Sequence, residues 1–207
     1  MYDRCFASVE DTKLLEEYPV KIYSGGTPST SKSEFWNGSI PWLASGETAQ
    51  NFVIETEKYI TEEGVENSST KWAQKYDVVT ASAGQGHTRG QTSMLLLDTC
   101  VNQSVIVTHA EKQYMPFIFC NIFKRYEELR VLSDGTSTRG SLTTKIMAKL
   151  AMPDVTEQEI EEFAHFAWPI IDKIEKCQRE IAGLADLRDS LLPKLMSGEL
   201  DVSDLDI

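Results

Sequence analysis

A chain of 207 residues, 41% hydrophobic and 25% charged, is long enough for one ordinary domain plus an appendage and excludes wholesale disorder. No apolar run approaches the roughly 20 residues of a membrane-spanning helix, and the acidic N-terminus lacks the basic start and apolar core of a secretory signal. The net charge of −12 argues against a polyanion partner only until it is mapped: residues 20–150 are neutral, and the excess acid lies in residues 1–19 and 151–207.

Residues 1–19 form a polar lead-in with a predicted short helix over 9–17, ending at Pro19. Val20-Lys21-Ile22-Tyr23 alternates as a strand does and runs into Ser24-Gly25-Gly26-Thr27-Pro28-Ser29, a dense turn signal. Ile40-Pro41-Trp42-Leu43 reads as a short buried strand whose proline places it at a sheet edge or a strand start. Further strands are predicted over 52–60, 77–82, 92–97 and 101–108, with a helix over 61–67. The glycine-rich stretch Gly84-Gln85-Gly86-His87-Thr88-Arg89-Gly90 separates the fourth and fifth of these six strands. Pro116 opens an amphipathic helix ending near Leu132, a second glycine loop covers 134–140, and a last short strand is predicted over 145–153. The expectation is an α+β fold: a globular domain of short mixed strands and helices over 20–153, followed by a long C-terminal coiled-coil-type helix.

That helical region, 154–198, precedes an acidic tail, 199–207. Thr156-Glu157-Gln158-Glu159 is a capping box. Beyond it Ile160, Phe163, Ala167, Ile170, Ile174, Cys177, Ile181, Leu184, Leu191 and Leu195 repeat at heptad spacing, broken once at Arg188. Pro169 is expected to interrupt the helix, leaving a short helix to about Phe166 and a longer one from Pro169 to about Met196. A seam this long must lie against a second helix. Only one such helix is present in these 207 residues, so the partner is expected to come from another copy or another protein.

Residues for catalysis are mostly missing. There is no P-loop, no His-Glu-x-x-His and no Gly-x-Ser-x-Gly elbow, so no catalytic residue is assigned. His165 reads as an ordinary helix residue and His109 as structural, while His87 stands beside Arg89 without a fixed acid or nucleophile. Cys5, Cys100, Cys120 and Cys177 are isolated and read as reduced thiols, with no metal and no cofactor expected. The glycine loops are rich in donors that suit phosphates and base edges. Solvated turns have the same composition for conformational reasons, so residue types alone leave both readings open. Trp36 and Trp42 could stack on bases, and core packing is the competing role.

Gly25-Gly26-Thr27-Pro28-Ser29-Thr30, followed by Glu34-Phe35-Trp36-Asn37-Gly38-Ser39-Ile40-Pro41-Trp42-Leu43, closely resembles the opening of a target recognition domain in type I restriction-modification specificity subunits. Later pieces follow in the family's order: Ile60-Thr61-Glu62-Glu63-Gly64 with Asn67-Ser68-Ser69, the strand and loop of 79–89, Asn102-Gln103, and residues 135–142. The end of the chain, from Leu187-Arg188-Asp189 through Gly198-Glu199-Leu200, is similar to the C-terminal end of such subunits. The resemblance implies a non-catalytic DNA-reading protein that binds one half of a bipartite site in double-stranded DNA. It implies a modification methyltransferase subunit and a restriction translocase as partners, and a cytoplasmic location. The usual member has two recognition domains separated by two long antiparallel helices; this chain has one of each, without the family's Trp-rich lead-in.

The expected DNA-binding residues are Thr27, Ser29, Lys32, Ser82, Gln85, His87, Thr88, Arg89, Arg139, Thr143 and Lys145. The expected homodimer or partner interface is Ile160, Phe163, Ile170, Ile174, Cys177, Ile181, Leu184 and Leu191. A coiled-coil adaptor without DNA binding, or a truncated inactive specificity subunit, is the alternative.

Overall fold

The structure, a computed structural model, describes residues 2–6, 8–84, 87–134 and 140–199. The chain divides into two compact units, with the division between Trp168 and Pro169.

In chain order the first unit contains α1 (Tyr2–Phe6), β1 (Lys13–Leu14), β2 (Lys21–Ser24), β3 (Trp36–Leu43), β4 (Phe52–Val53) and β5 (Lys58–Ile60). Then follow α2 (Glu62–Glu66), β6 (Lys71–Ala73), β7 (Val78–Ala81), β8 (Thr92–Leu95), β9 (Thr99–Val101) and β10 (Val105–His109). After these come α3 (Met115–Phe123), α4 (Tyr126–Asp134), α5 (Thr144–Ala148), β11 (Ala151–Met152) and the start of α6 (Glu157–Met196). The α+β class expected from the sequence is the class observed, with its long C-terminal helix.

Two mixed sheets form the domain. One runs β2-β10-β7-β8-β4, antiparallel except for β8 with β4. The other runs β5-β3-β9-β6, with β3 and β9 parallel. Leu43, Ala73 and Val101 from the second sheet and Val53, Val79, Leu95, Val105 and Val107 from the first share one buried cluster. A buried Leu or Val of this kind stabilises by about 1.5–3 kcal/mol. On the helical side Phe117, Ile118 and Ile122 of α3 are fully buried, and the rings of Tyr2, Phe6, Phe117 and Phe163 meet in tilted and edge-on pairs with centroids 5.1–6.0 Å apart. A short ribbon, β1 with β11, ties the lead-in to the segment before α6, and the Tyr18 hydroxyl donates to the Pro153 carbonyl.

Several expectations change. The helix predicted over 9–17 is α1 at the N-terminus plus a 3-10 turn at Leu15–Glu17, because Tyr2 and Phe6 have the ring cluster to bury into. The strand predicted over 52–60 is two strands, β4 and β5, in different sheets. The strand over 101–108 is likewise divided into β9 and β10, with an Asn102 turn between them: its side-chain oxygen accepts from the Ser104 amide at 2.9 Å. β3 is an interior strand despite Pro41. Its ladder to β9 begins only at Trp42, so the missing amide of Pro41 is not needed on that side. The helix from Pro116 is two helices, and the strand over 145–153 is α5 followed by β11, since Thr143 caps Ile146 at 3.2 Å and starts a helical turn.

Around Pro169 the expected interruption is absent: α6 runs from Glu157 to Met196 with Pro169 and Pro193 inside it. A proline removes one backbone hydrogen bond, and the other bonds of a 40-residue helix remain. Its capping box is formed, with Glu159 Oε2 accepting from the Thr156 amide at 2.8 Å and the Glu159 amide donating to the Thr156 hydroxyl at 3.3 Å.

The heptad seam has two fates. Ile160 and Phe163 are buried in the core of the first unit, so their place is internal packing and not a partner interface. In the second unit Ile170, Ile181 and Leu184 are exposed by 48–66%, and Ile174, Cys177 and Leu191 are half-buried. Among the described residues no helix is long and apolar enough to cross a membrane.

Candidate nucleic-acid interface

Strand register decides which loops meet. Ser24 at the end of β2 pairs with Ile106 at the start of β10, Val105 pairs with Ala81 at the end of β7, and Thr80 pairs with Thr92 at the start of β8. The loop after β2, the loop between β7 and β8, and the turn entering β10 therefore emerge from one end of the five-stranded sheet. Residues 140–142 join them, because the Leu142 amide donates to the Ser82 carbonyl at 2.8 Å and the Ser82 amide donates to the Ser104 carbonyl at 2.8 Å.

The first loop is pressed onto β9. The Gly26 amide donates to the Val101 carbonyl at 3.1 Å, and a methyl group on Gly25 would lie 1.9 Å from that same oxygen. Thr27 donates to the side-chain oxygen of Gln103, and the Trp36 and Trp42 indoles donate to the Ser29 and Gly26 carbonyls at 3.1 and 3.3 Å. The two indoles meet edge to face at 5.1 Å, and Trp42 is buried. Both tryptophans thus hold the loop in place, and core packing is the role the structure assigns to Trp42. Ser29 and Lys32 are exposed beyond this support, with the Lys32 ammonium 4.7 Å above the Phe35 ring.

The second loop is held by α4. The Tyr126 hydroxyl donates to the His87 carbonyl at 2.8 Å, and the Gly90 amide donates to the Ala81 carbonyl at 2.9 Å. Arg89 pairs with Asp134 and donates to the Gly140 carbonyl at 3.3 Å, its side chain only 12% exposed. That is a correction to its expected place among outward-facing donors: its guanidinium is spent on the protein. Ser82 is also buried, and its backbone joins the loops. His87 is exposed, Thr88 is half-buried, and Thr143 and Lys145 are exposed on the neighbouring turn and α5. Gln85 and Arg139 lie outside the described residues.

The exposed set thus contains hydroxyls and two ammonium groups, which are donors to phosphate oxygens and base edges. The expected DNA-binding residues do not include Tyr126, Asp134 or Gln103. Gln103 stands out in the sequence only as part of the Asn102-Gln103 pair and Asp134 only as the start of a glycine loop; pairing across 39–76 positions places all three at this end.

At the opposite end of β7 and β10, His109 Nδ1 lies 2.6 Å from Asp77 Oδ1, far along the strands from the loops. Burial raises the Asp77 carboxyl above the usual range, opposed by the Gln74 amide and by His109. Burial likewise pushes the Cys100 and Cys120 thiols up to about 11, which leaves them unreactive at neutral pH.

No family model matches the chain. It is 32% identical over 149 residues to the Escherichia coli type I restriction enzyme EcoR124I/EcoR124II specificity subunit, covering 67% of this chain and 36% of that protein. The Methanocaldococcus jannaschii type I restriction enzyme MjaIX specificity subunit is 25% identical over 191 residues, covering 90% of this chain and 43% of its own length. The chain therefore spans less than half the length of these curated relatives. In fold it is similar to the crystal structure of the type I restriction-modification S subunit from M. genitalium, with a TM-score of 0.63 and 17% identity over 88% of this chain and 44% of that one. Part of the stretch that carried the resemblance, residues 25–29 with Gln103, lies in the supported loops at one end of the sheet. The sequence, with its similarity to these relatives, supports one conclusion: the chain belongs to the type I restriction-modification specificity subunits.

Proposed function

We propose that this chain reads one half of a bipartite site in double-stranded DNA and performs no chemistry itself. In this reading methyl transfer and restriction belong to a modification methyltransferase and a restriction translocase that assemble on it in the cytoplasm. The observation that carries the reading is the gathering of the loops at 25–32, 82–91 and 140–145 at one end of the five-stranded sheet. Thr27, Ser29, Lys32, His87, Thr88, Thr143 and Lys145 supply the contacts there; Gln85 and Arg139, outside the described residues, join the proposed set on sequence alone. Ser82 shapes the surface through its backbone. An acidic chain suits a division of labour in which the methyltransferase contributes much of the phosphate binding.

The exposed stripe Ile170, Ile181 and Leu184, with Ile174, Cys177 and Leu191 beside it, pairs with the same stripe of a second copy. Such a two-fold dimer carries two identical readers and recognises a palindromic bipartite site. The test is selection from a randomised duplex pool by the chain assembled with its methyltransferase subunit, followed by footprinting. Enrichment of a palindromic interrupted site supports the proposal. Unrelated half-sites overturn the dimer, and an intact assembly that enriches no duplex overturns the DNA reading in favour of an adaptor.

A further inference from the structure

Helix α4 turns one stripe of its surface toward the glycine loop between β7 and β8. Tyr126, Arg130 and Asp134 stand at i, i+4 and i+8 and so share a face. Tyr126 donates to the His87 carbonyl at 2.8 Å, and Arg130 donates to the Tyr126 hydroxyl at 3.0 Å. Asp134 takes the Arg89 guanidinium, whose other arm reaches the Gly140 carbonyl. The backbone makes room for this guanidinium. Gly140 has φ +55°, and a methyl group there would stand 2.2 Å from Arg89 Nη1. Gly90 has φ +87°, and its Cβ would lie 3.3 Å from the Tyr126 carbonyl. One arginine thus spans the glycine loop, the end of α4 and the return segment at 140.

We propose that Arg89 and Asp134 form a strut that sets the shape of the recognition loop, making Asp134 a positioning residue for DNA reading and Arg89 an internal brace, not a phosphate contact. The proposal rests on the DNA reading above and adds to it a residue on a helix distant in sequence. A guanidinium only 12% exposed cannot leave its carboxylate for a phosphate without dismantling the contact that joins the two loops. Exposed Lys32 and Lys145 carry no such constraint.

The two roles for Arg89 give opposite signs. The chain, assembled with its methyltransferase subunit, is titrated with an enriched duplex and with a scrambled one across a salt series. For a strut, Arg89→Ala and Asp134→Ala each weaken the enriched duplex by roughly fivefold or more, the double variant is no worse than either single, and the salt slope is unchanged. If Asp134→Ala tightens binding to both duplexes while Arg89→Ala lowers the salt slope by about one unit, Arg89 is a phosphate contact that Asp134 holds back, and the proposal falls. Additive losses also overturn it.

A second readout needs no DNA. Hydrogen exchange at the Gly90, Gln91 and Leu142 amides, which bond across these loops, should accelerate in Asp134→Ala while core amides of β7 and β10 stay protected. Asp134→Glu should restore part of the protection, and Arg89→Lys should not, because an ammonium cannot hold the carboxylate and the Gly140 carbonyl with a planar fork. Unchanged exchange overturns the strut. If the wild type enriches no duplex, the DNA reading and the positioning role fall together, and exchange alone reports whether the brace exists.

Discussion

A single methyl group is the sharpest probe of the first loop. On Gly25 it would meet the Val101 carbonyl oxygen at 1.9 Å, and on Gly26 it would meet the Ser69 hydroxyl oxygen at 2.0 Å, with Ser69 backbone atoms behind it. Backbone cannot retreat as a flexible side chain can, so Gly25→Ala should cost about 2–4 kcal/mol in a urea melt and displace Thr27 from Gln103. On the surface of the same loop the expectation reverses. Lys32→Ala should leave the melt unchanged within about 0.5 kcal/mol and lower the salt slope of DNA binding by about one unit. The turn at Gly25-Gly26 was legible in the sequence because paired glycines mark places where other backbone approaches too closely for a Cβ. The inward turn of Arg89 was not, because its direction is set by Asp134, 45 residues away.

At the scale of elements, local signals were reliable where the local chain supplies both partners. The α6 capping box is the example, since Thr156 and Glu159 satisfy each other within one turn. Thr156→Ala should destabilise the first unit by about 1 kcal/mol in chemical denaturation. Hydrogen bonds from the Thr156 backbone and side chain hold the Glu159 carboxyl below the usual range. A lowered carboxyl contributes stability above its unfolded value, about 4.3, and loses it as pH falls through the folded value. Carboxylate titration followed by NMR should therefore place Glu159 below the usual glutamate value, and the shift should vanish in Thr156→Ala. Local signals failed where a strand's end depends on which sheet receives it. Residues 52–60 and 101–108 each read as one continuous strand, yet each crosses from one sheet to the other through a turn. The stretch 145–153 was misjudged for a related reason: α5 and β11 are short elements positioned by contacts with the Thr143 cap and with β1, not by a pattern of their own.

For the whole molecule, apolar periodicity identified a long helix but did not divide its seam by occupant. Ile160 and Phe163 carry the same heptad spacing as Ile174 and Ile181, but both are buried in the first unit, where Phe163 packs on the rings of Tyr2 and Phe6. The exposed remainder is what the proposed dimer uses. Ile174→Asp with Ile181→Asp should convert a species of twice the chain mass to a monomer in light scattering, with the melt of the first unit unchanged. Phe163→Ala should do the reverse, costing about 3–5 kcal/mol of domain stability without touching association. The sequence by itself determined the class of fold, the helical character of the C-terminal region with its cap, and the family, because propensity, spacing and ordered motifs act within a few residues of each other. That Pro169 does not divide the helix was decided by the structure. Tertiary structure alone decided which loops share a surface, which donors on it face outward, and which half of the heptad seam is already covered. Those outcomes depend on strand register and on charges and rings brought together from distant positions, and no local pattern encodes them.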